Sequence, residues 1–140
     1  MNTFFDSSAF AKRYVEETGS DEVEKICIKS DSIALSSICF PEIISALNRR
    51  LRENNIVKSD YLLIKEKMIE EFESLEIVNI VPEVISKAIT LLEKYNLRTL
   101  DALHISSAII WNADIFISAD KRQILAAKKS WVESKIHCIS

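Results

Sequence analysis

The sequence predicts an α/β fold with a mainly parallel central sheet of four to five strands. Two observations support this prediction. Short apolar segments with strand composition alternate with longer segments that carry the apolar periodicity of helices. The connections between successive strands are longer than ~12 residues, which is the length that a parallel crossover needs. At 140 residues with 48% hydrophobic side chains, the chain can bury one core, and we expect a single domain over residues 1–140.

The predicted elements follow in a regular order along the chain. The strands are predicted at residues 3–5, 32–36, 75–81 and 115–118, and residues 136–139 are a candidate edge strand. The helices are predicted at residues 7–17, 21–30, 41–54, 59–74, 82–95, 99–112 and 121–129.

Local signals predict where several helices begin and end. Ser7 or Ser8 is expected to cap the first helix, and Gly19 is expected to terminate it. Ser59 and Thr99 are expected to cap two later helices with their hydroxyl groups.

The stretch of residues 97–108 has the pattern of a helix that is apolar on nearly every face, which is typical of a helix packed inside a domain. Its first turn nevertheless carries a carboxylate, Asp101. Because desolvating a lone carboxylate is costly, we expect Asp101 to meet a compensating group.

Four acids are predicted to meet at one edge of the sheet. Asp6 follows the first strand, Glu42 opens the helix after the second, and Asp120 follows the fourth. Asp101 begins the helix that runs back to the fourth strand, so its helix N-terminus lies at that same edge. Ligands of parallel α/β sheets bind beyond the carboxyl ends of the strands, so this edge is the candidate functional site.

A cluster of four carboxylates needs compensation by retained protons or by a bound cation. Oxygen ligands without paired His or Cys favour a hard cation, Mg²⁺ or alternatively Mn²⁺. Such a site suits phosphoryl chemistry, because the ion activates water and neutralises phosphate. His104 lies one turn after Asp101 and could reach the site, although a packed helix residue is the commoner role; His137 is expected to be structural.

Composition excludes several other classes of function. Gly19 is the one glycine, so the glycine-rich phosphate loops of nucleotide-binding proteins cannot be built, and we expect no nucleotide cofactor. The net charge of -3 predicts at most a local patch for nucleic acid. Three widely spaced cysteines predict no disulfide framework. No secretory signal or membrane span is recognised, so we expect a cytoplasmic protein without membrane association.

Four sequence blocks in order resemble the PIN-domain family, specifically the VapC-like ribonuclease toxins of type II toxin–antitoxin systems. The blocks are residues 5–20, residues 36–47 around Pro41-Glu42, residues 97–108 around Asp101, and residues 117–120. The resemblance implies a three-layer α/β sandwich and a Mg²⁺-dependent endoribonuclease. It also implies that Asp6, Glu42, Asp101 and Asp120 are the metal ligands and catalytic acids.

The resemblance further implies an RNA substrate, a homodimer and an inhibitory antitoxin partner, which often inserts a basic side chain among the acids. Two positions depart from the family pattern. Ser118 stands where Thr is commoner, which keeps the hydroxyl, and Arg122 stands where some PIN nucleases carry a further acid. The number of metal ions, one or two, therefore stays open.

Hydroxyl and basic residues near the acids are candidates for supporting roles. Ser7 and Ser118 flank Asp6 and Asp120 and could orient them. Four basic residues are candidates for contacts with an RNA backbone: Lys12, Arg13, Arg98 and Lys121.

The sequence leaves two other functions open. The first is a catalytically inactive PIN-like or adhesion-type module that binds metal or RNA; Phe10 replaces the second hydroxyl of the adhesion pattern that begins at Asp6. The second is a phosphatase with Asp6 as nucleophile, but Ser8 stands where that chemistry usually has a second acid.

Overall fold

The computed structural model describes residues 1–131 and 135–139. The strands are β1 (Asn2–Phe5), β2 (Ser32–Ser36), β3 (Glu76–Val78), β4 (Ile115–Ser118) and β5 (Ile136–Cys138). The helices are α1 (Ser7–Phe10), which continues as a 3₁₀ turn over Ala11–Arg13, then α2 (Ser20–Lys29), α3 (Cys39–Arg52), α4 (Lys58–Phe72), α5 (Pro82–Lys94), α6 (Thr99–Trp111) and α7 (Lys121–Ser130).

The five strands form one sheet in the order β3-β2-β1-β4-β5. Every neighbouring pair is parallel, with Phe4 of β1 in register with Ala34 of β2 on one side and Phe116 of β4 on the other. The predicted α/β class with a parallel sheet is therefore confirmed, and residues 136–138 form the fifth strand at one edge.

Successive side chains of the central strands pack into two separate hydrophobic cores, one on each face of the sheet. Phe5 and Ile117 pack with helices α1 to α4, whereas their neighbours Phe4 and Phe116 pack with α5, α6 and α7. Successive strand residues point to opposite faces, so both faces of the sheet are covered. This arrangement is the three-layer sandwich that the sequence predicts.

The first helix is shorter than predicted. It ends at Phe10, and its 3₁₀ continuation ends at Arg13 rather than near residue 17. The following residues form a loop held by side chains, because Lys12 donates to the carbonyl of Thr18 over 2.7 Å and Ser20 donates to that of Val15 over 3.3 Å. Gly19 adopts φ 96° and is the N-cap of α2 instead of a helix stop.

Three predicted helix caps are also wrong. Asp6, not Ser7 or Ser8, caps α1 by accepting the N–H of Ala9. The N-caps of α4 and α6 are Val57 and Arg98, neither of which makes a side-chain cap bond, so the roles predicted for Ser59 and Thr99 are not observed.

Strand β3 is also shorter than predicted, with three residues against the predicted range of 75–81. Within the described ranges, no helix is long and apolar enough to cross a membrane.

Candidate active site

The four predicted acids line one cavity of about 100 Å³ at the carboxyl edge of the sheet. Its lining residues are Asp6, Ser7, Ser8, Glu42, Arg98, Asp101, His104, Asp120 and Gln123. Each acid arrives from a different segment: the residue after β1, the first turn of α3, the first turn of α6, and the N-cap of α7. The sheet topology therefore brings together side chains that lie far apart in sequence.

Asp6 is the most buried of these acids, with 1% of its surface exposed. Its Oδ1 accepts from Ser8 Oγ at 2.7 Å and from the Ala9 N–H at 3.0 Å, and its Oδ2 accepts from Ser118 Oγ at 2.5 Å. Burial raises the pKa of Asp6 above its ordinary value, although these hydrogen bonds and the nearby His104 act in the opposite direction. The carboxylate is thus fixed in one orientation.

Ser118 joins two of the acids. Besides donating to Asp6, its Oγ accepts the backbone N–H of Asp120 at 3.0 Å. Ser118 is fully buried, so it holds the end of β4 against the end of β1. The orienting hydroxyls of Asp6 are therefore Ser118 and Ser8, and Ser8 was not among the residues that the sequence singled out for this role.

Glu42 is held by a different pair. Its Oε1 lies 2.7 Å from Ser7 Oγ, which donates to it, and 2.5 Å from Nε2 of His104. Burial by itself raises the pKa of Glu42, but the contacts with His104 and Ser7 outweigh it and lower the pKa below the ordinary value. Ser7 therefore orients Glu42 rather than Asp6.

His104 belongs to the cavity, a role that the sequence ranked below core packing. Only 2% of its surface is exposed. Its Nε2 makes the contact with Glu42, whereas its Nδ1 has no hydrogen-bond partner within the described part of the chain. The signal in the sequence was its position one helical turn after Asp101.

Asp101 and Asp120 share a single cation. Arg98 Nε lies 3.1 Å from Asp101 Oδ2, and Arg98 Nη2 lies 3.3 Å from Asp120 Oδ2. Asp120 also accepts the Arg122 N–H at 2.9 Å, while Gln123 donates to the carbonyl of Asp101 at 3.1 Å. The compensating group that the sequence required for Asp101 is therefore Arg98.

The other candidate RNA contacts lie outside this cavity. Lys12 pairs with Glu17 at 3.4 Å, and Arg13 lies between Glu24 at 3.3 Å and Glu71 at 3.2 Å. Lys121 is the first residue of α7 and follows Asp120 directly. Of the four predicted basic residues, only Arg98 lines the cavity.

The donor chemistry of the cavity suits a hard divalent cation, because its four acids supply carboxylate oxygens. The present side-chain arrangement is not that of a coordination site. Within residues 1–131 and 135–139, no three His, Cys, Asp or Glu side chains are grouped closely enough to hold a metal ion. Each carboxylate is instead satisfied by hydrogen bonds or ion pairs with protein groups, so ion binding requires some of these partners to move.

The fold is that of a PIN domain. Residues 3–129 match the PIN domain family, and the chain belongs to that family. Among curated proteins it is similar to Ribonuclease VapC45 of Mycobacterium tuberculosis, with 31% identity over 107 residues that cover 76% of this chain and 74% of the relative. The resemblance to VapC-like proteins found in the sequence is therefore confirmed.

Solved structures show the same fold at low sequence identity. A toxin–antitoxin complex from Klebsiella pneumoniae superposes with a TM-score of 0.71 at 12% identity, covering 99% of this chain and 98% of that chain. VapC20 of Mycobacterium tuberculosis, described as a sarcin–ricin loop cleaving toxin, gives a TM-score of 0.70 at 13% identity, covering 95% and 98%. These likenesses establish a shared architecture across nearly the whole chain.

Proposed function

We propose that this protein is a Mg²⁺-dependent endoribonuclease and the toxin component of a VapBC-type toxin–antitoxin system. The observation that carries the proposal is the convergence of Asp6, Glu42, Asp101 and Asp120 on one cavity at the carboxyl edge of the sheet. Family membership supports it, because the curated relative is named a ribonuclease. An RNA substrate also suits a cytoplasmic location.

The four acids would hold the divalent cation, Mg²⁺ or alternatively Mn²⁺. Bound there, the ion would supply an activated water and would neutralise charge on the scissile phosphate. The protein itself must orient its carboxylates and allow the negatively charged RNA to reach them.

The orientation of Asp6 is supplied by buried hydrogen bonds that are already formed in the free protein. Ser8, Ser118 and the Ala9 N–H fix both oxygens of Asp6. The acid most deeply buried is thus also the most rigidly held, which makes Asp6 the fixed point of the site.

Glu42 is oriented by a different pair of side chains. Ser7 and His104 both contact Oε1 of Glu42, and neither of them contacts Oε2, which would be available for a ligand. His104 therefore acts as a positioning residue in this proposal.

We further propose that the protein pairs with an antitoxin and forms a homodimer. A structural neighbour is a toxin–antitoxin complex. Large apolar side chains are exposed on α4 at Leu62, Leu63 and Ile69 and on α5 at Ile85 and Ile89. Exposed apolar surface of this kind marks protein contacts. Light scattering of the purified chain, alone and co-expressed with the product of the adjacent reading frame, tests both partners.

The nuclease is tested with purified protein and structured cellular RNAs in Mg²⁺ or in EDTA. We expect cleavage in Mg²⁺, none in EDTA, and loss of cleavage in Asp6→Asn. The matched control is Asp60→Asn, which removes an exposed carboxylate from α4 and should cleave normally. Cleavage by Asp6→Asn at the wild-type rate would exclude the mechanism. Metal and RNA binding without cleavage by the wild type would favour an inactive binding module instead.

A further inference from the structure

Arg98 stands between two cavities. One is the cavity of the four acids, and the other is a neighbouring cavity of about 130 Å³ lined by Asn96, Leu97, Arg98, Asp101 and Arg122. Arg98 and Asp101 line both, so the Arg98 guanidinium lies at the boundary while it pairs with Asp101 and Asp120.

The second cavity contains another arginine. Arg122 is exposed, and its backbone N–H donates to Asp120. Its guanidinium has no ion pair within the described ranges. A guanidinium presents a planar fork of donors that matches a phosphate group.

We propose that Arg98 and Arg122 form a binding site for an RNA backbone phosphate, which becomes available when a divalent cation replaces Arg98 on Asp101 and Asp120. This inference rests on the proposed function and names how the same site receives its substrate. The cation and the Arg98 guanidinium both bind these two carboxylates, so only one of them can occupy that position at a time.

The exchange is energetically accessible. The Arg98 side chain is 63% exposed, and ion pairs exposed to this degree are weak because water screens them and the long side chain loses freedom. A divalent ion would carry twice the charge of the guanidinium. Once bound, it repels the guanidinium, which is displaced toward the Arg122 side of the boundary.

The exchange also resolves an electrostatic problem. A cavity lined by four carboxylates repels the phosphates of an RNA strand. Release of Arg98 adds one cation beside Arg122 at the moment when the metal neutralises the acids. Metal binding and RNA binding should therefore be coupled through this side chain.

The first test is calorimetric titration with Mn²⁺ alone. We expect Arg98→Gln to bind Mn²⁺ about two- to fivefold more tightly than the wild type, because no ion pair has to be broken. Arg122→Gln is the matched control, since its guanidinium does not contact the acids, and it should bind like the wild type. Equal or weaker Mn²⁺ binding by Arg98→Gln would overturn the exchange, and so would the absence of Mn²⁺ binding by either protein.

The second test measures binding of a short fluorescent single-stranded RNA by anisotropy in Ca²⁺ and in EDTA, with intact RNA verified on a gel. We expect wild-type affinity to increase in Ca²⁺. Arg98→Gln and Arg122→Gln should each bind several-fold more weakly in Ca²⁺ and lower the slope of log affinity against log salt by about 0.7. Lys87→Gln, which removes a partly buried cation from α5, is the charge-matched control. If Arg122→Gln binds RNA like Lys87→Gln, the phosphate site is refuted.

The two measurements separate this inference from the proposed nuclease. Mn²⁺ affinity is read without any cleavage, so a tighter Arg98→Gln variant of a protein that cuts no RNA would retain the exchange and refute the nuclease. Cleavage of RNA by the wild type, together with an unchanged Mn²⁺ affinity in Arg98→Gln, would retain the nuclease and refute the exchange. Melting temperatures of the variants in EDTA verify that each is folded. Arg98→Lys provides a second variant, which keeps the positive charge but lacks the planar pair of guanidinium donors.

Discussion

His104 Nε2 lies 2.5 Å from Oε1 of Glu42, and the two residues come from α6 and α3, which pack on opposite faces of the sheet. The contact ties the apolar core helix to the helix that follows β2. Nδ1 of His104 is buried without a partner in the described residues, so the ring makes its polar contacts through Nε2, to Glu42 and to Ser7 Oγ at 3.2 Å.

Replacing His104 by Ala should lower nuclease activity by about 10- to 100-fold, the cost typical of removing a group that orients a metal ligand. The loss should be partly recovered by raising Mg²⁺, because Glu42 remains present but less well oriented. Initial rates of RNA cleavage across a Mg²⁺ titration measure both effects.

Ser107 supplies the matched control for His104. It lies on the same helix, is equally buried, and its Oγ has no hydrogen-bond partner among the described residues. Ser107→Ala should therefore keep full activity and should not reduce stability. If it impairs cleavage as much as His104→Ala does, the effect belongs to packing of α6 and not to Glu42.

The location of the four acids could be predicted because it follows from topology alone. Residues such as Asp6 and Asp120, which lie within two residues of the carboxyl ends of parallel strands, must lie at the carboxyl edge whatever their partners are. The same reasoning could not identify what stabilises them. Arg98 and His104 act through contacts that depend on how α6 is rotated and packed, and sequence spacing does not specify that rotation.

Helix ends were predicted less well for a similar reason. The segment after Arg13 has helical composition, but Lys12 and Ser20 bind its carbonyls and hold it as a loop. Such side-chain contacts compete with the helix and are visible only in the folded chain. Gly19 illustrates the ambiguity, because a glycine with positive φ can end one helix or precede the next.

Ser118→Ala should destabilise the metal-free protein by about 1–3 kcal/mol, because it leaves a buried oxygen of Asp6 and the Asp120 N–H without their partner. Urea unfolding in EDTA measures this change in the free energy of unfolding. Ser118→Thr keeps the hydroxyl and should retain most of the stability. If Ser118→Thr lost as much unfolding free energy as Ser118→Ala, the loss would come from the size and shape of the side chain and not from its hydrogen bonds.

Phe116→Ala should cost about 3–5 kcal/mol of unfolding free energy. The Phe116 ring is fully buried and stacks on Phe4 with centroids 6.0 Å apart, so its removal leaves a cavity between β4 and the α6 layer. Leu125→Ala is the comparison, since Leu125 is 61% exposed and should change stability by less than about 0.5 kcal/mol. Similar losses in the two variants would contradict the two-core arrangement.

Glu71 should make stability depend on pH. It accepts from Tyr14 Oη at 2.6 Å and from Arg13 Nη2 at 3.2 Å. Burial by itself raises the pKa of Glu71, but these two donors outweigh it and lower the pKa below its ordinary value of 4.5. A carboxyl whose pKa is lower in the folded state stabilises the protein above the unfolded-state pKa, and that stabilisation is lost as the pH falls through the folded-state value.

Glu71→Gln should accordingly be less stable than the wild type at neutral pH, by about 1–2 kcal/mol. The difference should shrink as the pH falls from about 5 toward 3, because protonated Glu71 in the wild type also loses its charge-assisted bonds. Urea unfolding at a series of pH values measures the two curves. Glu70→Gln, an exposed neighbour on α4, should run parallel to the wild type. A Glu71→Gln curve that also runs parallel would show that the Tyr14 and Arg13 contacts contribute no pH-dependent stability.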